Sequence, residues 1–317
     1  MEIRPFASND YAAIAEINNV FWTEETLTAE QWQHEDEQRP SHCKHARWVA
    51  QVDGKVVGMS DYDQLAGRYH PDKYWLRVEV LPAYQRRGVG AALYDTVMTA
   101  LAPRHPWLVR FALTENLQDS LRFLRARGFA EEWRSYESHW DVTQFDPARF
   151  NGVDEKLNAR GIVIKTYAEF ADDPNRDPKL YELCEDTRAD TAFIEPLTRN
   201  EYARWRDMFL DGFRANRDAF WVALRTDEYV GVAILAKAES GAQIDTRWVG
   251  VRRDQRGQGI AMGFKKRMFD YARAHHHPRI LTVTNSKNAP VIAMNKQLGY
   301  IDQPAWVYYS KRFVVAT

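Results

Sequence analysis

Cysteine is scarce in this sequence: Cys43 and Cys184 are the only two in 317 residues, and they fall in different halves. They offer neither a pairing pattern nor metal-ligand spacing, so buried or free thiols in a reducing compartment are expected and no metal site is. Net charge is nearly absent as well. Lys+Arg 43 against Asp+Glu 44 gives −1, which leaves no polyanion footprint and argues against a nucleic-acid partner. No stretch reaches the ~18 successive apolar residues of a membrane span. Met1-Glu2-Ile3-Arg4-Pro5 lacks the basic start and apolar core of a secretory leader. The chain is therefore expected to be globular, soluble and cytoplasmic.

What is present is repetition. A chain of this length suits two domains of about 150 residues. Trp48-Val49-Ala50, followed by a turn and Gly58, recurs as Trp221-Val222-Ala223, a turn and Gly231. Both read as strand–tight turn–strand hairpins. Gln85-Arg86-Arg87-Gly88-Val89-Gly90 stands 171 positions before Arg256-Gly257-Gln258-Gly259-Ile260-Ala261, and Gly128-Phe129 the same 171 before Gly299-Tyr300. A duplicated domain is the simplest account. Strand alternation fades over Asp141–Pro147, which puts the expected boundary there: 1–145, a linker 146–160 with a short helix around Glu155-Lys156-Leu157, and 161–317.

Each copy has the same order of elements. Helices open it: Thr28-Ala29-Glu30-Gln31 and Thr198-Arg199-Asn200-Glu201 read as capping boxes, and Asp177-Pro178 as an N-cap with Pro at the first helical position. The hairpin follows, then a longer strand (74–80; 243–251), a Gly-rich turn, a helix (91–102; 261–274), a strand (108–113; 280–284), a helix and a last strand. This order predicts an α/β (α+β) fold with a mostly antiparallel sheet and partly parallel pairing.

The turn carries the chemistry. Glycine lets the backbone approach an anion closely, and the first amides of the following helix have no intrahelical acceptor. With the helix dipole they form a site suited to a pyrophosphate. A Walker A loop is disfavoured, because Ala91 and Ile260 follow Gly90 and Gly259 where Gly-Lys-Ser/Thr is required. A dinucleotide fingerprint lacks its third glycine (Leu93 is there) and the acidic residue about twenty positions on. A plain connecting turn remains the bland alternative, weakened by the repetition.

On these residues the sequence resembles the Gcn5-related N-acetyltransferase family, whose coenzyme A signature is Gln/Arg-x-x-Gly-x-Gly/Ala after a strand. Gln85, Gly88 and Gly90 match it, as do Arg256, Gly259 and Ala261. Asn288 through Asn295 to Leu298-Gly299-Tyr300 is similar to a helix of tandem acetyltransferases of the mycothiol synthase type. The resemblance implies acetyl-CoA as co-substrate, with pyrophosphate held by Gln85, Arg86, Arg87, Gly88, Val89, Gly90 and Ala91, and by Arg256, Gly257, Gln258, Gly259, Ile260 and Ala261. It further implies that the backbone edges of Val80 and Val251 pair with the pantetheine arm, and that Asn116, Asn288 and Asn295 lie near it. The expected partner is a small-molecule amine, and the expected state a monomer or homodimer.

By the same resemblance, a general base is expected about eleven residues before the signature: Asp245 in copy two, Tyr74 in copy one. A regular strand would put Asp245 on one face with Arg247, Val249 and Val251; a solvated strand-start Asp is the equal alternative. Glu79 is a second candidate, out of phase with Val80 and expected to face solvent. The family's usual acid, a Tyr four residues before the Gly-aromatic pair, is replaced by Leu124 and Asn295. Copy two is thus expected to transfer and copy one to bind or brace; a non-catalytic coenzyme A-binding protein and an N-terminal protein acetyltransferase are the rivals. Phe21, Trp22 and Trp32 are candidates to line an acceptor cleft. Glu24, Glu25, Glu35, Asp36 and Glu37 could draw in a cation or simply form a solvated helix face. His275-His276-His277 ends a helix, where positive charge suits the dipole.

Overall fold

The computed structural model describes residues 1–22, 26–191, 197–237 and 243–313. The chain divides into two compact units, Met1–Trp133 with Val307–Thr317, and Arg134–Trp306.

In the first unit β1 (Glu2–Pro5), α1 (Tyr11–Phe21), α2 (Ala29–Glu37), β2 (His45–Val52), β3 (Lys55–Asp63), β4 (Lys73–Val80), α3 (Val89–Leu101), β5 (Leu108–Thr114), α4 (Gln118–Arg125) and the start of β6 (Ala130–Asp141) follow in sequence. β1 to β4 pair antiparallel in order, and β4 pairs β5 in parallel. The β2–β3 turn holds Asp53 and Gly54 at φ 49° and 78°, the left-handed pair that a tight hairpin of the right twist requires. Thr28 caps α2 through the expected box with Gln31. Val89, Leu93, Val97 and Leu101, spaced by four, bury one stripe of α3 against the sheet. Gly58 permits that approach, since a Cβ there would lie 2.9 Å from the Glu79 carbonyl oxygen and 3.0 Å from Leu93. On the opposite face Ile14, Ile17 and Trp32 of α1 and α2 pack on Val49 and Met59.

The second unit repeats this plan. After β6 come α5 (Val153–Asn158), β7 (Ile162–Thr166), α6 (Arg176–Ala189), α7 (Tyr202–Arg206), β8 (Phe220–Arg225), β9 (Glu228–Leu235), β10 (Ile244–Val251), α8 (Ile260–Ala274), β11 (Arg279–Asn285), α9 (Ala289–Leu298) and β12 (Ile301–Asp302). The strand order is β6-β11-β10-β9-β8-β7, with β10 and β11 parallel. Ile260, Phe264 and Met268 of α8 fill the core on one face, and α6 and α7 cover the other with Leu180, Leu183 and Trp205. The last strand, β13 (Trp306–Arg312), lies beside β5, and from Val307 it counts with the first unit. Residues 134–145, expected in the first copy, cluster instead with the second, because β6 pairs β11 from Ser135↔Asn285 to Asp141↔Arg279.

Two helix starts differ from expectation. α6 begins at Arg176 after Asn175, so Asp177 and Pro178 lie inside its first turn, where a missing N–H is harmless. α7 begins at Tyr202 with Glu201 as N-cap. Asn200 does not help to open it; its backbone N–H and its Nδ2 donate to Glu185 at 3.0 and 2.9 Å. The short helix expected around Glu155 is α5, and both cysteines are buried.

One core residue makes stability depend on pH. Lys265 on α8 is 3% exposed, and its Nζ lies 2.8 Å from the Tyr300 hydroxyl. Burial pulls its pKa down to about 7, so between that value and the unfolded 10.5 the unfolded chain holds a proton that the folded chain does not. Folding stability should therefore rise with pH across this window, by up to ~1.4 kcal/mol per unit. Lys265→Met should flatten that rise in chemical denaturation between pH 7 and 10; an unchanged slope would assign it to other groups.

Candidate functional site

Each unit presents the same backbone device. In the first, β4 ends at Val80, a short 3-10 turn spans Pro82–Tyr84, and Gly88 caps α3 at φ 85°. In the second, β10 ends at Val251, a turn spans Arg253–Gln255, and Gly259 caps α8 at φ 92°. The matched residues Arg86 and Gly257 are also left-handed, at 61° and 75°. Gln85 Nε2 donates to the Val80 carbonyl at 2.9 Å, and Arg256 Nε to the Val251 carbonyl at 3.2 Å. The two signature side chains thus do the same work: they fold the turn back on the strand end. Ala92 and Gly263 are the first amides bonded back to the capping glycines, which leaves those of 88–91 and 259–262 without intrahelical acceptors. A Cβ on Gly88 or Gly257 would meet nothing within 4 Å, so these are open cradles and the residues fit a diphosphate-bearing cofactor.

Ahead of each turn the parallel strands part. β4 pairs β5 only from Lys73↔Leu108 to Trp75↔Arg110, and β10 pairs β11 only at Ile244↔Ile280 and Asp245↔Leu281. Beyond those points, among the described residues, β4 and β10 run on to Val80 and Val251 with that edge unpaired. An extended ligand arm can bond there as an added strand does.

Asp245 sits where β10 and β11 part. Its Oδ2 accepts from Arg214 Nη2 at 2.7 Å. The expected regular alternation does not hold, because a bulge lies between Thr246 and Trp248 of β10. One extra residue reverses the parity. Ile244, Val249 and Val251 line the α8 core, so Asp245 shares the opposite face with Trp248, which packs toward α6 and donates to Thr187 Oγ1 at 3.2 Å. β4 has no bulge. The structural counterpart of Asp245 is therefore Trp75 and not Tyr74, which is buried in the α3 core with its hydroxyl on the Pro71 carbonyl.

Glu79 is not solvent-facing either. It is 8% exposed beneath α1, and Oε1 accepts from Trp22 Nε1 at 2.9 Å. Burial pushes its carboxyl up, countered in part by the charge of Arg77 and the Trp22 bond. Its aligned position in the second unit is Gly250, where a Cβ would lie 2.3 Å from Thr187 Oγ1. Asp36 does not belong to a solvated helix face: although burial opposes it, Arg47 and Arg39 hold it down to about 2. Glu24 and Glu25 lie outside the described residues. Asn116 accepts from Thr114 Oγ1 at 2.6 Å beside α4, Asn288 precedes α9, and Asn295 is buried on α9 with Nδ2 at 3.4 Å from Thr284 of β11. Leu124, at the position of the missing acid, is core. His275 ends α8 as expected, and among the described residues no cluster of potential metal ligands occurs.

Sequence spacing gave no sign of one further residue. Asp190, just past α6, pairs with both Arg253 and Arg256 of the second turn. The Arg253 hydrogen bond, with the charge of Arg256, holds its carboxyl below the usual range. A carboxylate there competes with any anion the turn receives. In a Gly88→Glu background, which leaves only the second turn to read, Asp190→Asn should tighten acetyl-CoA binding about two- to five-fold by calorimetry; weaker binding would make Asp190 a brace of the turn instead.

A doubled strand–glycine turn–helix, each with a parted parallel pair, defines a tandem acyltransferase fold. The chain belongs to the acetyltransferase (GNAT) family, whose model matches it twice, at residues 11–129 and 180–300. It is similar in fold to a tandem GNAT protein from the clavulanic acid biosynthesis pathway, with TM-score 0.73 and 18% identity over 98% of each chain. It is also similar to a GCN5-related N-acetyltransferase from Sphaerobacter thermophilus, with TM-score 0.69 and 20% identity over 98% of this chain and 95% of that one. Comparison with curated protein sequences found no match.

Proposed function

We propose that this acetyltransferase moves an acetyl group from acetyl-CoA directly to the amine of a small molecule in a ternary complex, with the second unit transferring and the first binding or bracing. The observation that carries this reading is Asp245: the bulge in β10 turns its carboxylate onto the α6 face at the point where β10 and β11 part. Trp75 stands at that point in the first unit.

Bound acetyl-CoA would supply the activated acetyl group and a thiol leaving group. The amides of residues 259–262 and the turn before them would hold its diphosphate, and the open edge of β10 would pair with its arm. An alkyl ammonium has a pKa near 10, so its proton must be taken before the nitrogen can attack. Asp245 would take it, oriented by Arg214. Asn295 cannot protonate the departing thiolate at ordinary pH, so that proton would come from solvent.

The test is thiol release from acetyl-CoA over a panel of small amines, wild type against Asp245→Asn. Turnover of an amine that collapses in the variant supports the reading. Acetyl-CoA binding with no amine turned over would favour a binding protein.

A further inference from the structure

The first unit carries a polar cluster that acetyl transfer by the second leaves unused. On the α1/α2 face of β4, Trp75, Arg77 and Glu79 follow at alternate positions, about 6.6 Å apart along the strand. Glu79 holds a carboxyl that is more than nine-tenths buried. One of its oxygens receives Trp22 Nε1, while Oε2 is buried and, among the described residues, takes no hydrogen bond. A buried carboxylate oxygen left so is costly unless a donor reaches it.

Arg77 is the complementary group. Its neighbour Arg47 is fully engaged, with Nη1 and Nη2 on Asp36 at 2.8 and 3.3 Å and Nε on Asp61 at 3.2 Å. Among the described residues Arg77 has only loose polar contacts: Nη1 to Asn18 Oδ1 at 3.4 Å and Nε to Asp61 at 3.9 Å, with its side chain 35% exposed. Its guanidinium carbon lies 4.9 Å from the Trp32 ring centre, a cation–π contact. Beyond it Trp75 meets Trp133 and Tyr308 edge-on, with ring centres at 6.1 and 5.9 Å. The face thus offers, in a row, a carboxylate short of a donor, an underused guanidinium and an aromatic wall.

We infer that this face of the first unit binds an α-amino acid with an apolar or aromatic side chain, its ammonium on Glu79, its carboxylate on Arg77 and its side chain along Trp75. A simple amine would leave the guanidinium fork unused, and a simple acid would leave Glu79 Oε2 unsatisfied.

The experiment is calorimetry on the full chain with three probes of one skeleton: phenylalanine, phenethylamine and 3-phenylpropanoate. Phenylalanine should bind roughly 10- to 100-fold more tightly than either partial probe, the span of one charge-assisted contact. Arg77→Gln should reduce phenylalanine to the level of phenethylamine while leaving phenethylamine unchanged. Arg77→Lys, which keeps the charge without the fork, should retain part of the preference and shows that a loss in Arg77→Gln is not unfolding. Equal binding of phenethylamine and phenylalanine, an Arg77→Gln protein with undiminished preference, or no binding of phenylalanine would each overturn the inference.

Discussion

Asp245→Asn should lower acetyl transfer about 10²–10⁴-fold, the usual share of a general base, while acetyl-CoA binding changes little. The substitution keeps the size of the side chain and its place at the parting of β10 and β11, but removes the proton acceptor. Arg214, now held by Oδ2 of Asp245 at 2.7 Å, would still have an amide oxygen to bond, so the loop bearing it should stay in place. The pH–rate profile should lose its acidic limb and follow only the ionisation of the amine. Glu79→Gln is the control in the other unit. Its carboxyl is pushed up by burial, so its folded form holds a proton more readily than the unfolded chain. That favours folding at low pH and is lost as pH rises through the raised pKa, so at neutral pH Glu79→Gln should leave stability unchanged or improved. Turnover of Asp245→Asn near wild type across pH 6–9, with collapse in Glu79→Gln, would move the transferring centre to the first unit.

Replacing both capping glycines should remove acetyl-CoA binding. Gly88 and Gly259 sit at φ 85° and 92°, where a side chain costs ~1–2 kcal/mol. Glutamate there also sets a negative charge where the diphosphate is expected to lie. At about 4 Å and an effective dielectric near 20, like charges repel by roughly 4 kcal/mol, so each turn should lose about 10²–10³-fold in affinity. Calorimetry on Gly88→Glu/Gly259→Glu should therefore find no binding in the micromolar range, and intact binding would place the cofactor elsewhere. Taken singly, Gly259→Glu should abolish turnover while Gly88→Glu leaves most of it. Equal losses in two folded variants would contradict the division of labour.

Much of this was legible in the sequence, for a local reason. Glycine at a left-handed position, a β-branched strand before it and an apolar stripe spaced by four after it are each set by nearest neighbours along the chain. Both turns accordingly lie where Gln85–Gly90 and Arg256–Ala261 put them, and the hairpins, α2 and α5 follow their signals. The site's polar partners were not legible. Arg214 and Asp190 reach Asp245 and the second turn from segments 31 and 63 residues away in sequence, and no spacing rule connects them. Lys265 lies between the core residues Phe264 and Met268 of α8 and reads as an ordinary helix cation until its burial is seen.

The sequence by itself determined that there are two copies, that each has a glycine turn between a strand and a helix, and that Asp245 precedes one of them. Tertiary structure decided which face each carboxylate takes. A fixed offset from the signature equates Asp245 with Tyr74, but the single extra residue in β10 reverses side-chain parity there, and the pairing with β11 and β5 equates it with Trp75. It decided the membership of the strands too: β6 joins the second unit and β13, from Val307, the first. Strand partners are chosen by edges that become available only once the sheets have formed, whereas turn geometry is chosen by the residues of the turn itself.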